Sequence, residues 1–432
     1  MKKNLLIVML VGLALGCDDS SEPLQPVSDS GAAEDSTLDA VGGAPPTDST
    51  ATESLADAES DTEEPESEET VDSIEEPPVG PAPLPAILAG EPLTVTSAKG
   101  IAVQPALTIG NDGRWFVAFT GGTESSSDLS IFGQWQGEDA FLLHEETGEG
   151  RNVPAVCTLA NGDLLVVWSV VTNGMAPADN QIGFVRITPE GASEEERVET
   201  QREGNHWLGD VGCAPEGGFV ITGIWPELEH PTWGAFYQEY DAEGVPSGDA
   251  TPLNPKDDAT ETEPVVALYE TLSFHGWLEL EGNAWFSIGD ETDPVLLSDD
   301  GAAVVMAAAP DAGGGVVVTT TNSLALLPQW IAPDGTLSAP FPLQGTSPNR
   351  HTAGVVTVER AEAAALIHLT SEGPNSKVIA QYMGINGAMP TILETGSIPP
   401  YPPAIAYRDG KLVAAWTVPD ESNQYSIRLL SW

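Results

Sequence analysis

Positive charge is the scarcest thing in this chain. Among 432 residues there are 15 Lys and Arg against 66 Asp and Glu, a formal net charge of −51. That balance excludes DNA and RNA as partners, because gripping a phosphate backbone takes a basic footprint. Aromatics make up only 6% of the chain, and they are unevenly placed. No run of 18 apolar residues occurs, which excludes an ordinary membrane-spanning helix. Three cysteines and six scattered histidines (144, 206, 230, 275, 351 and 368) form no zinc-type spacing, so no metal site is expected. A Gly-x-Ser-x-Gly elbow and a phosphate-binding glycine loop are both missing, and no catalytic residue can be assigned by motif.

The residues that are present fall into three regions. Residues 1–16 read as an export signal: Lys2 and Lys3, an apolar run from Leu5 to Leu15, and small Gly16 at the cleavage position. Cys17 follows at once. The run Leu13-Ala14-Leu15-Gly16-Cys17 resembles a bacterial lipobox, with Ala14 where such motifs usually carry Leu. The resemblance implies lipidation of Cys17, and hence an exported protein anchored to the bacterial cell envelope, periplasmic or at the cell surface. Residues 17–90 hold 20 Asp and Glu, no Lys or Arg and no aromatic. Such a segment cannot bury enough apolar surface to offset its ordering entropy, so a disordered acidic tether is expected. Residues 91–432 carry all eleven Trp, and with 46 acidic and 13 basic residues their net charge is −33.

That last region repeats. A Pro/Ala-containing apolar run leads through an Asx-Gly or Gly-Gly turn into a β-branched run ending in an aromatic. Pro105-Ala106 leads through Asn111-Asp112-Gly113 to Phe119, Pro154-Ala155 through Asn161-Gly162 to Trp168, and Pro403-Ala404 through Asp409-Gly410 to Trp416. Further copies start near residues 210, 264, 303 and 354. Each copy continues into a third run and a short fourth, such as Ala339 to Leu343 or Met389 to Leu393. Four short antiparallel strands at a period of about 50 residues describe one propeller blade. The expected fold is therefore all-β, a seven-bladed β-propeller over 91–432. The seventh copy stops after three strands, and Glu91 to Val95 has the pattern of a fourth. This N-terminal strand is expected to complete the last blade and close the ring.

The repeat resembles that of bacterial seven-bladed β-propeller lipoproteins. That resemblance implies architecture, and it leaves function open between binding, scaffolding and catalysis. The Asp-box of sialidase-type propellers and the Gly-His and Trp-Asp pairs of WD repeats are both missing.

Some residues invite a chemical reading. Cys157 and Cys213 each precede a turn glycine by five residues. In an oxidising compartment such a pair suggests a disulfide. Equivalent positions on neighbouring blades face the same way round the ring, however, which favours two buried thiols instead. Arg151, Arg202, Lys256 and Arg350 are expected in the loops between blades, on a rim shared with His206, Trp207, Trp225, Trp233 and His351. Loops on a rigid scaffold that carry aromatics and arginines suit a ligand. The alternative is that these cations soften local repulsion while some of the Trp belong to the core. Acidic loops such as Asp257-Asp258-Ala259-Thr260-Glu261 could offer oxygen ligands to Ca²⁺, but no EF-hand pattern supports a cofactor. The expected role is a non-catalytic binding or scaffolding module at the envelope, for an anionic or glycan ligand or a protein partner. The alternative is a glycoside hydrolase or lyase with its site in the propeller's central cleft.

Overall fold

The chain divides into two units, Met1–Val79 and Gly80–Trp432. The computed structural model describes residues 84–432 apart from 98–99, 124–128, 145–148, 173–179, 201, 203, 227–231, 255–259, 270–271, 281, 290–292, 299–305, 311–314, 322–325, 341–342, 344–350, 359–362, 371–372, 385–389 and 421–423. The signal, Cys17 and most of the expected tether lie outside the described residues.

The second unit is a seven-bladed β-propeller. Its sheets begin with the first strands Ile101–Ile109, Gly150–Thr158, Trp207–Cys213, Glu261–Tyr269, Met306–Pro310, His351–Thr357 and Ala404–Arg408, which define blades 1 to 7. Every blade is an antiparallel meander, and each first strand packs against those of both neighbouring blades. The first strand of blade 7 packs back on that of blade 1, so the seven strands ring a common axis. The ring closes as expected. Leu93–Val95 pairs antiparallel with Tyr425–Ser431 as the outer strand of blade 7, in the register Leu93↔Leu429, Thr94↔Arg428, Val95↔Ile427.

Local chemistry sets the hairpins. Asp409 and Gly410 both have left-handed φ, 49° and 78°, and form the two-residue turn between Ala404–Arg408 and Lys411–Pro419. That is the backbone a primed turn needs, and an Asp-Gly pair supplies it at little steric cost. The second strands are buried almost throughout, because each faces a neighbouring blade on both sides. Trp168, for instance, sits among Phe116, Ala118 and Val185 between blades 1 and 2. Trp168 and Trp416 belong to this core, as the repeat implied, and Trp115, Trp225 and Trp277 join them. Burying a large side chain of this kind contributes about 2–3 kcal/mol, so the blade interfaces hold the ring. Buried hydroxyls add stitches between blades. Thr120 Oγ1 accepts from the Val153 amide at 3.2 Å, Ser169 Oγ from the Leu208 amide at 3.0 Å, and Thr222 Oγ1 donates to the Pro264 carbonyl at 3.2 Å.

Three features differ from expectation. Cys157 and Cys213 are joined as a disulfide, with their Cα atoms 5.7 Å apart. First strands converge on the axis, which brings equivalent positions of adjacent blades within bridging distance despite their common facing. Ala339, Pro340 and Leu343 of the expected fourth run lie in no strand, Pro340 removing a ladder donor. The tether was expected to run to Gly90, yet its last residues pack on the propeller. Ile87 is buried against blades 6 and 7. Pro85, Ile87 and Leu88 carbonyls accept hydrogen bonds from Tyr382 Oη, Thr391 Oγ1 and Trp432 Nε1 at 2.8–2.9 Å. Residues 84–90 carry no charge, which suits them to this apolar surface.

Candidate site at the propeller axis

The rim residues singled out from sequence divide into two groups. Arg151 lies in the first strand of blade 2 and not in a loop, and its side chain is fully buried. Its guanidinium donates to Glu195 from Nε (3.1 Å) and Nη2 (2.6 Å) and pairs with Glu149 at 3.4 Å. Arg197 joins the same carboxylates, and the Trp168 indole donates to Glu195 at 3.0 Å. Burial alone would raise the Glu195 carboxyl, but the hydrogen bond and charge of Arg151, with Arg197 and Trp168, hold it below its ordinary value. The charge of Arg151 is therefore neutralised inside the protein.

Arg202, His206, Trp207 and Trp233 all belong to one end of blade 3 but not to one face of its sheet: the first two lie against Trp225 and Phe236, while Trp207 and Trp233 pair with residues of the opposite face. Arg202 Cζ lies 4.0 Å over the Trp225 ring, which stacks on Phe236 at 4.4 Å and 12°. His206 meets Phe236 edge-on at 6.2 Å, and its Nε2 shares a 2.9 Å hydrogen bond with Thr200 Oγ1. Trp207 pairs with Ile224, and Trp233 with Pro226, so both flank the same strand end. Lys256 and Arg350 lie outside the described residues. His351 begins the first strand of blade 6, and its side chain lies outside them too.

A second set of residues was not found from sequence. In blades 1 to 4 the first strand carries a bulge against the second, between Val103/Ala106, Asn152/Ala155, Leu208/Val211 and Thr262/Val265. No such register shift occurs in the described first-strand pairings of blades 5 to 7. Three of the four bulges place a non-glycine residue in left-handed backbone directly before a proline: Gln104 (φ 55°), Val153 (φ 52°) and Glu263 (φ 48°). Left-handed φ at a β-branched residue such as Val153 is rare and costs about 1–3 kcal/mol. Bulges of this kind re-aim side chains, and they recur beside functional sites.

In blade 3 the bulge reads Gly209-Asp210, with Asp210 where the other three blades have proline. A side chain at Gly209 would collide with the Pro264 carbonyl oxygen of blade 4, so the two bulges abut. Asp210 and Glu263 thus lie on abutting bulges of neighbouring strands, one step apart in the repeat and in contrasting surroundings. Burial pushes the Asp210 carboxyl up to about 6, even though it accepts the Val211 amide at 2.8 Å and the Val266 amide at 3.3 Å. Burial alone pushes Glu263 up to about 7, and no hydrogen bond supports its ionised form. Two carboxyls raised by burial on neighbouring strands are candidates for acid and base roles. Gln104 stands at the same bulge position in blade 1, its Oε1 accepting from Thr120 Oγ1 at 3.0 Å. Among the described residues no group of three metal-ligating side chains converges.

The propeller fold is shared with other proteins of known structure. No protein-family model and no curated protein matches the chain. Among solved structures, the Trypanosoma rangeli sialidase in complex with the inhibitor DANA superposes with a TM-score of 0.52 at 8% identity, covering 80% of this chain. The chain spans 58% of that enzyme's length. A PL25 polysaccharide lyase, an ulvan lyase, superposes with a TM-score of 0.52 at 11% identity, over 78% of this chain and 95% of the lyase. At these identities the likeness is one of fold.

Proposed function

We propose that the protein is a glycan-cleaving propeller of the bacterial cell envelope, held there by a lipid at Cys17 and an acidic tether, with Asp210 and Glu263 as its acid–base pair. The carboxyl pair on adjacent axial bulges carries this reading. The fold it shares with a sialidase and an ulvan lyase is compatible with it. In a hydrolysis, protonated Glu263 gives its proton to the departing glycosidic oxygen as the anomeric C–O bond breaks. Asp210, ionised and oriented by two backbone amides, takes a proton from the water whose oxygen forms the new C–O bond. General acid–base assistance of this kind contributes about 10²–10⁴-fold in rate.

Incubating the full chain with neutral and acidic glycans and measuring new reducing ends tests the proposal. Cleavage by wild type, reduced at least a hundredfold in both Asp210→Asn and Glu263→Gln, is the expected result. Cleavage that survives both substitutions would sink the assignment of residues. Binding without cleavage would return the protein to a non-catalytic binding module.

A further inference from the structure

We infer that residues 84–90 form a strap that latches the closed ring, holding the strand that completes blade 7 in place from the blade 6 side. Every other described outer strand follows the third strand of its own blade in sequence and pairs with it. Leu93–Val95 does not: Thr94 stands opposite Arg428, 334 residues further along the chain. Its own hold is small. It makes three residue pairs, and Val95 alone of its three side chains is buried. A strand that short, with no hairpin to keep it beside its partner, is marginal. Beyond Val95 the chain enters blade 1 at Ile101, so on that side the strand is tied only across the junction where the last blade meets the first.

The residues before it supply the second attachment. Tyr382 Oη, in the third strand of blade 6, donates to the Pro85 carbonyl at 2.9 Å. Thr391 Oγ1, at the start of the fourth, donates to the Ile87 carbonyl at 2.8 Å. Between these two bonds Ile87 is buried in the apolar cluster that blades 6 and 7 share, and Leu84 packs against the same cluster. The chain then crosses to blade 7. Trp432 Nε1 donates to the Leu88 carbonyl at 2.8 Å, and Gly90 lies so near Leu430 that a Cβ there would fall 3.3 Å from its Cδ1. Trp432 is itself fixed, exchanging backbone hydrogen bonds with Leu412 of the second strand. Only Glu91 and Pro92 separate this docked segment from the closing strand, and Pro92 stiffens the join. Two attachments joined by so short a link raise each other's effective concentration, so a strand that lifts is kept beside its partner and pairs again. Leu84 to Val95 thereby binds blade 6 to blade 7 and, through Ile101, leads both to blade 1. None of these contacts involves Asp210 or Glu263, and the strap acts whether or not the propeller cleaves glycans.

Amide hydrogen exchange of the full chain, read by mass spectrometry, tests the strap. Ile87→Ala removes its buried side chain, and the double variant Tyr382→Phe/Thr391→Val removes two of its donors while leaving the strap itself unchanged. In both proteins the amides of 93–95 and of the Tyr425–Ser431 edge they cover should exchange at least tenfold faster than in wild type. Those of Leu164–Val171 and Phe219–Pro226, in blades 2 and 3, should keep their wild-type rates, because a latch governs local opening at the closing blade. If Ile87→Ala fails to fold, the double variant carries the test. Wild-type exchange at 93–95 and 425–431 in the strap variants would overturn the inference. So would an equal acceleration in every blade, which would make the segment an ordinary contributor to overall stability.

Discussion

Substituting Glu263 by Gln should make the protein more stable, and only at higher pH. The carboxyl is partly buried, lacks a hydrogen-bond partner and is held up at about 7 by burial, against an ordinary value of 4.5. A carboxyl whose folded value is raised binds more protons in the folded state than in the unfolded chain across this window. Its contribution to stability is fully present below pH 4.5 and is lost as pH rises through about 7. At 1.36 kcal/mol per pH unit, the loss approaches about 3 kcal/mol above pH 8. Glutamine has nothing to ionise, so the difference between Glu263→Gln and wild type isolates this one group from the many other carboxylates. Urea unfolding of both proteins at pH 4, 5, 6, 7 and 8 measures it. The difference should be smallest at pH 4, grow in favour of the variant from pH 5 through 7, and level off near pH 8 about 3 kcal/mol higher. A difference that stays flat across the series would refute the burial of this carboxyl.

The other predictions concern the frame around the site. Arg151→Met leaves Glu195 and Glu149 without their buried cation, and should cost about 3–5 kcal/mol by urea unfolding; a cost below 1 kcal/mol would count against the network as described. Alkylation of the denatured, unreduced protein should find Cys157 and Cys213 unreactive. Their joint replacement by Ser should cost about 4 kcal/mol, the chain-entropy figure for a bridge across 56 residues. Deleting residues 91–97 removes the strand that closes blade 7 and exposes the edge of Tyr425–Ser431. A loss of several kcal/mol is expected, and an unchanged unfolding transition would contradict closure by that strand.

The ring was legible because its signals are local and repeated. Turn glycines, alternating apolar runs and Asp409-Gly410 set each hairpin without help from distant residues, and the missing fourth strand of blade 7 pointed to Leu93–Val95. What escaped depended on how blades meet. The disulfide was hidden because facing around the ring says little about distance where first strands converge. Arg151 looked like a surface cation, since nothing near it in sequence announces Glu195, which reaches it from the outer edge of its own blade. Asp210 and Glu263 are two of 46 acidic residues in this region, and burial, the property that distinguishes them, has no single-residue signature. A signal did exist. Aligning the copies sets Gln104-Pro105, Val153-Pro154 and Glu263-Pro264 in register with Gly209-Asp210, and a carboxyl at each of two adjacent steps otherwise filled by Gln, Val, Gly and Pro could have been noticed. Docking of Leu84 to Leu88 was likewise foreshadowed by the loss of charge after Glu76.

The central claim, a carboxyl pair dividing acid and base roles at the propeller axis, is tested most directly by the pH dependence of glycan cleavage by the full chain. Activity should need Asp210 ionised and Glu263 protonated, giving a narrow bell with its limbs near pH 6 and 7. Asp210→Asn and Glu263→Gln should each abolish it. Cleavage that is flat from pH 5 to 8, or that persists in either variant, would contradict the account.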